Sequence, residues 1–156
     1  MLQFKSEMAA YAVGRRINME EYNTITRTAE GVIGFGVPVM AGTGEHGTLA
    51  LDATTGRNVL GISEASQVLP HPSDSYQQYD NATICESGVI GVLLGANVTK
   101  GAVARFNTAN GTWTGAAQSA TVVSIPGAQF EYGGVSGAVG AVRYRRPVPS
   151  LSVSGA

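Results

Sequence analysis

Between residues 81 and 115 the chain reads NATICESGVIGVLLGANVTKGAVARFNTANGTWTG, and no helix of ordinary length fits inside it. Short apolar segments alternate with glycine-bearing turns. Thr83-Ile84-Cys85 opens one strand, and Val89 to Leu93 continues it after a break at Gly88. Val98-Thr99-Lys100-Gly101 is a tight corner, and Val103-Ala104-Arg105-Phe106 alternates with the period of two that a half-buried strand requires. Asn110-Gly111 predicts a hairpin of type I′, because both residues tolerate positive φ. The fold class that results is mainly β: a small β-barrel or sandwich of short antiparallel strands, with an N-terminal arm.

The same grammar runs on both sides of this stretch. From Gly31 the β pattern begins, with Phe35, Val37 and Val39 alternating around Pro38. Proline donates nothing to a ladder, so this strand is expected at an edge or first in a sheet. Turns at 42–47 and 52–56 flank a strand through Leu49 and Leu51, and Val59-Leu60-Gly61-Ile62 follows. Leu51-Asp52-Ala53-Thr54-Thr55-Gly56 and Phe106-Asn107-Thr108-Ala109-Asn110-Gly111 echo one another, as two similar Asx-capped hairpins would. Residues 64–80, with Pro70 and Pro72, form the longest polar connection, and a connection of that length is commonly functional. Beyond the hairpin, strands are expected through Thr121 to Ile125, after a turn at Pro126-Gly127 through Phe130 to Tyr132, and from Val139 to Tyr144. The domain organisation is an arm (1–30), a β-barrel domain (31–146) and a loose tail (147–156).

The arm carries Lys5, Arg15, Arg16 and Arg27 among four glutamates. A short helix over 7–16 is weakened by Gly14. The segment is expected to lie on something outside its own barrel, with a locally packed terminus as the alternative. If so, its deletion leaves the barrel's thermal transition unchanged.

Function classes are narrowed by what the chain lacks. Charged residues make up 13% of it, about half the usual share, which points to a surface covered by partner chains. The net charge of −1 provides no field toward nucleic acid or an anionic membrane. No apolar run approaches the ~20 residues of a spanning helix, and no signal peptide opens the chain. Cys85, the single cysteine, is expected to be a small buried hydrophobe. Three Asn-x-Thr sequons begin at Asn81, Asn97 and Asn110; without a secretion signal they are chance matches. His46 and His71 have no second ligand at metal spacing, and Gly134-Val135-Ser136-Gly137-Ala138 misses the nucleophile elbow by one position. Gly34-Phe35-Gly36 begins a dinucleotide-like pattern, but Val39 occupies the place of its third glycine. Asp52, Asp74, Asp80 and Glu86 stand in turns or at strand ends, and spacing does not pair them into an acid and a base. Catalysis, a cofactor and a metal are therefore not expected.

Contact residues are sought instead among exposed loops: Arg15 and Arg16 on the arm, Tyr76 and Tyr79 in the long connection, and Trp113 at the hairpin tip. Tryptophan dominates many interfaces, so Trp113 is expected as an anchor; the competing arrangement folds it over the barrel end as a lid. Two other assignments use the same residues. The loop aromatics would also suit a virion or surface β module that binds a receptor or glycan. Lys100 sits in half-barrel grammar resembling lipoyl and biotinyl carrier domains, but its Val-Thr-Lys-Gly corner matches a structural turn of those domains and not their modified hairpin.

Three blocks in order carry a family resemblance. Ile33-Gly34-Phe35-Gly36-Val37-Pro38-Val39 with Gly61-Ile62 is the first. Tyr79-Asp80 leading into Val89-Ile90-Gly91-Val92, then Val98 through Phe106, is the second. Ala128-Gln129-Phe130-Glu131-Tyr132 with Ala141-Val142-Arg143-Tyr144 closes the series. Over residues 31–144 the chain resembles the structural cement (decoration) proteins of tailed bacteriophage capsids. The resemblance implies a barrel-like, non-enzymatic virion protein on the outer capsid surface, made in the bacterial host cytoplasm. Its implied partners are the major capsid protein and copies of itself, usually as a trimer, with no cofactor, nucleic acid or membrane. It transfers no residue-level contacts.

Overall fold

The computed structural model describes residues 12–18, 20, 22–53, 58–66 and 74–147. Eleven strands account for most of them: β1 (Asn23–Ala29), β2 (Ile33–Gly34), β3 (Pro38–Ala41), β4 (Gly47–Ala50), β5 (Val59–Ser63), β6 (Ser75–Tyr76), β7 (Asn81–Leu93), β8 (Val103–Asn107), β9 (Thr112–Thr114), β10 (Val122–Tyr132) and β11 (Val139–Arg145). The mainly β expectation holds.

Nine of these strands form two rings that share β7, and β2 pairs with β6 in a separate two-stranded sheet. In the first, β1, β4, β3, β5 and β7 follow one another, and β1 pairs back onto β7 to close a five-stranded barrel. Closure pairs every strand of this barrel on both edges over at least part of its length. One pair, β1 with β4, is parallel, an exception to the antiparallel expectation. In the second ring β7, β11, β10, β8 and β9 follow in order. A bridge from Leu94 to Trp113, with Gly95 N–H donating to the Trp113 carbonyl at 2.8 Å, brings its ends together.

The thirteen residues of β7 are possible because the strand is covered on both faces. Ala82 and Ile84 enter the first core with Ala29, Val39 and Leu60; Cys85, Ile90 and Val92 enter the second with Phe106, Phe130 and Val142. A strand buried on both faces reads as a continuous apolar run, not as clean alternation. Gly88 bends this strand and does not end it. Its φ of +148° suits only glycine, and a Cβ there would lie 2.7 Å from the Tyr22 ring. Strand partners change at the bend: Ser87 is the last residue opposite β1, at Asn23, and the first opposite β11, at Arg145.

Other elements differ from the sequence reading. β structure begins at Asn23, so part of the expected arm is a barrel strand. β3 lies between β4 and β5, not at an edge; Pro38 is accommodated as its first residue. The Pro126-Gly127 turn is an irregularity inside one strand, β10, whose register on β8 shifts between Ser124 and Gln129. The hairpin at Asn110-Gly111 is present, but Gly111 alone has positive φ (+70°), and its N–H closes a wider turn onto the Asn107 carbonyl. Asn110 caps that turn through its side-chain oxygen, which accepts from the Thr112 N–H and hydroxyl. The last residue of the expected barrel domain, Arg146, pairs with Glu86 at 2.6 Å. Most of the echoing turn at 52–56, the centre of the long connection with Pro70, His71 and Pro72, and the tail from 148 onward lie outside the described residues.

Candidate interaction surface

The N-terminal segment 12–18 packs on this same chain. Gly14 donates to the Gly91 carbonyl (2.7 Å), Gly91 donates to Arg15 (2.9 Å), Ile17 donates to Val89 (3.1 Å), and Ala65 donates to Gly14 (2.8 Å). The segment thereby pairs with the edge of β7 opposite β11, through a bridge between Arg16 and Ile90. Its side chains add a clasp: Arg16 lies 3.2 Å above the Tyr22 ring and 3.6 Å from the Glu64 carboxylate, to which the Tyr22 hydroxyl also donates. The alternative reading, a locally packed terminus, describes residues 12–18. Residues 1–11 are outside the described set.

Glu64 is the buried carboxylate of the clasp. Burial pushes its pKa up, and the Arg16 guanidinium offsets part of that rise. With the folded value above the unfolded one, the protonated acid favours the fold. This contribution is complete below about pH 4.5 and is lost as pH rises through the folded value. Wild type should therefore lose stability relative to Glu64→Gln between pH 4 and 7, as urea midpoints at the two pH values would report. A difference between the two proteins that does not vary with pH would contradict it.

The five expected contact residues separate into two kinds. Arg15, Arg16 and Tyr79 are exposed, and Tyr79 is 77% accessible. Tyr76 is buried: its ring meets Phe35 edge-on at 5.2 Å and its hydroxyl donates to the Glu64 carbonyl at 2.6 Å. Trp113, at 1% exposure, is not a surface anchor. Its indole N–H donates to the Gly36 carbonyl at 2.8 Å, and its ring packs edge-on against Phe106. The lid arrangement is the one adopted. The expectation failed because the hairpin tip lies at 108–111, which leaves Trp113 inside β9 facing the second core.

The exposed apolar surface lies elsewhere, at two places. Tyr79 stands at a strained φ of +72° in a turn that the Asp80 carboxylate caps by accepting from Gln77 N–H. Its own N–H donates to Ala29, which places it at the end of β1, close in sequence to Val32 (63% exposed). The second place follows the far half of β7. Val103 (54% exposed) pairs with Gln129, Lys100 lies 5.8 Å from the Tyr132 ring, and Val135 (64% exposed) follows the bridge between Val98 and Gly134. The sequence reading missed Val32, Val103 and Val135. Each adjoins a glycine-bearing turn, which is the only local signal of their exposure.

Chemistry is sparse on these surfaces. Arg143 binds Glu20 and Glu131, which raises its pKa and lowers that of Glu131. Cys85 is fully buried, and desolvation raises its thiol to about 12, so it packs as the expected small hydrophobe. Among the described residues no three His, Cys, Asp or Glu side chains gather as metal ligands, and no helix is long and apolar enough to cross a membrane. His46 is exposed; His71 is outside the described residues.

The family model described as "Structural cement protein (E217 gp24/Pam3 gp6)" matches residues 2–145. Among solved structures, a chain of "The capsid of Myoviridae Phage XM1" is similar with a TM-score of 0.75 and 16% identity, over 93% of this chain and 96% of that one. At that identity the likeness concerns the fold. No curated protein matches.

Proposed function

Because the chain belongs to the phage structural cement protein family, we propose that it binds the outer surface of a capsid shell, bridges major capsid subunits, and does so as an oligomer, a trimer by preference. Its role in the capsid is structural, and no catalysis is assigned to it. The observation that carries this reading is the family match over residues 2–145. Two exposed apolar places on a body of interlocked rings, with few charges to desolvate, support it.

The physics of cementing is multivalent. Each contact is modest, yet an oligomer that touches several subunits converts later contacts into intramolecular ones and adds sites across the seams of the shell. Tyr79 is a suitable contact residue, since its ring is exposed and the turn that carries it is already tied by the Asp80 cap and the bond to Ala29, so little backbone ordering entropy remains to be lost. Arg15 and Arg16, exposed along the edge of β7, would serve as rim charges.

The test uses closed, preassembled shells that lack this protein. Added from outside, the chain should co-sediment with them to a saturating ratio and raise the temperature at which the shells come apart. Tyr79→Ala should weaken that binding by about 2 kcal/mol or more. A chain that stays in the supernatant at all concentrations would exclude the outer-surface reading.

A further inference from the structure

β7 pairs with β1 from Asn23 to Thr28, but β4 meets β1 only at its far end. Thr28 lies opposite Gly47 and Ala29 opposite Thr48, and the parallel ladder stops there. Two bonds fix which way each backbone group points. Thr28 N–H donates to the His46 carbonyl at 2.9 Å, on the β4 side, and Ala29 N–H donates to the Asp80 carbonyl at 2.9 Å, on the β7 side. These directions alternate along an extended strand. Ile25 and Arg27 therefore bond to β7, while Thr24 and Thr26 direct their N–H and C=O groups past the start of β4.

The turn that precedes β4 does not fold over these groups. It is held at the other end of β1, where the Glu30 carboxylate accepts from the N–H groups of Thr43 (2.9 Å) and Gly44 (2.7 Å). Among the described residues Arg27 alone reaches the open edge, its guanidinium donating to the Thr26 carbonyl at 3.3 Å. Thr26 itself is exposed. Sheet edges are commonly blunted by lysine, proline or a bulge. Here the register shift between Asn23 and Thr24 bounds the edge, and Thr24-Ile25-Thr26 carries neither charge nor proline. Three β-branched residues in a row favour the extended backbone before any partner arrives.

We propose that an extended backbone segment of a capsid subunit adds to β1 at Thr24 and Thr26, on the edge that β4 leaves open. The N–H and C=O groups of these two residues, spaced by about 7 Å along the strand, are matched group for group by another extended backbone. The partner is thus recognised through its main chain, and the Arg27 guanidinium gives up the Thr26 carbonyl to it. The Tyr79 contact lies on the same strand. Its N–H donates to the Ala29 carbonyl, and Ala29 is about 10 Å along β1 from Thr26. A contact this short is weak alone, which suits attachment at several points. The inference rests on the shell binding proposed above and adds to it the mode of contact.

Hydrogen exchange of the wild-type chain, free and on closed shells that lack it, tests the edge directly when read residue by residue. In the free chain the Thr24 and Thr26 amides should exchange about 100-fold or more faster than those of Ile25 and Arg27, which β7 already holds. On shells the Thr24 and Thr26 amides should slow by about tenfold or more, with Ile25 and Arg27 unchanged. Thr26→Pro removes the outward donor and spares the bonds to β7, so it should keep the thermal transition and weaken co-sedimentation about tenfold. Thr26→Val keeps the donor and should bind as wild type does. A chain that co-sediments while both amides exchange as in the free protein would overturn strand addition and leave the shell reading standing. So would a folded Thr26→Pro chain that binds like wild type; should that variant not fold, exchange on the wild type decides. Protection that rises with protein concentration in the absence of shells would assign the edge to a second copy and overturn the proposal. A chain that never co-sediments would overturn the shell reading, and this inference with it.

Discussion

Trp113→Ala should destabilise the isolated protomer by about 3–5 kcal/mol, measured by urea unfolding, the range for deleting a buried aromatic side chain. The indole is the largest fully buried side chain of the described residues and supports three things together. It fills the second core against Phe106, it stands where β9 meets Leu94 to bring that ring's ends together, and its N–H satisfies the Gly36 carbonyl. Gly36 belongs to the loop that leads from β2 into β3 of the other ring, so the indole also fastens one ring to the other. The backbone there is close: a Cβ on Gly36 would stand 2.9 Å from the Gly91 carbonyl oxygen. Trp113→Phe keeps part of the apolar volume but leaves that carbonyl without its donor, and should cost about 1–3 kcal/mol. Because the side chain is covered within the protomer, shell binding per folded molecule should change little in either variant. A loss of binding with stability intact would contradict the buried assignment.

Deleting residues 1–18 should cost on the order of 4 kcal/mol, from four backbone hydrogen bonds to β7 and Ala65 at about 1 kcal/mol each. The truncation also removes the cation from the buried Glu64 carboxylate. The Arg16–Glu64 pair adds less than a fully buried pair would, since the Arg16 side chain is 42% exposed and water screens it. A shorter truncation, ending before Ala12, keeps all of these bonds and is the control. Thermal unfolding of the two truncated chains separates the cases. If both melt with wild type, segment 12–18 contributes no net stability and the original expectation of an independent arm stands.

What the sequence determined by itself was local. Period-two alternation placed β8, and glycine with Asx placed the β8–β9 hairpin, because these signals depend on φ preferences and on side chains two residues apart. The absence of metal spacing and nucleophile motifs was legible in the same way. Only the tertiary structure decided which faces are covered. Trp113 and Tyr76 read as loop aromatics, yet both are buried, because Gly36 and Glu64 approach them from 77 and 12 residues away. Residues 23–29 read as arm and became a strand, because their partners on β7 lie more than fifty residues later. Gly88 read as a break and is a bend, because two rings compete for one strand and only a residue without Cβ turns between them. Burial is a property of the neighbour that covers a side chain, and no local pattern names that neighbour.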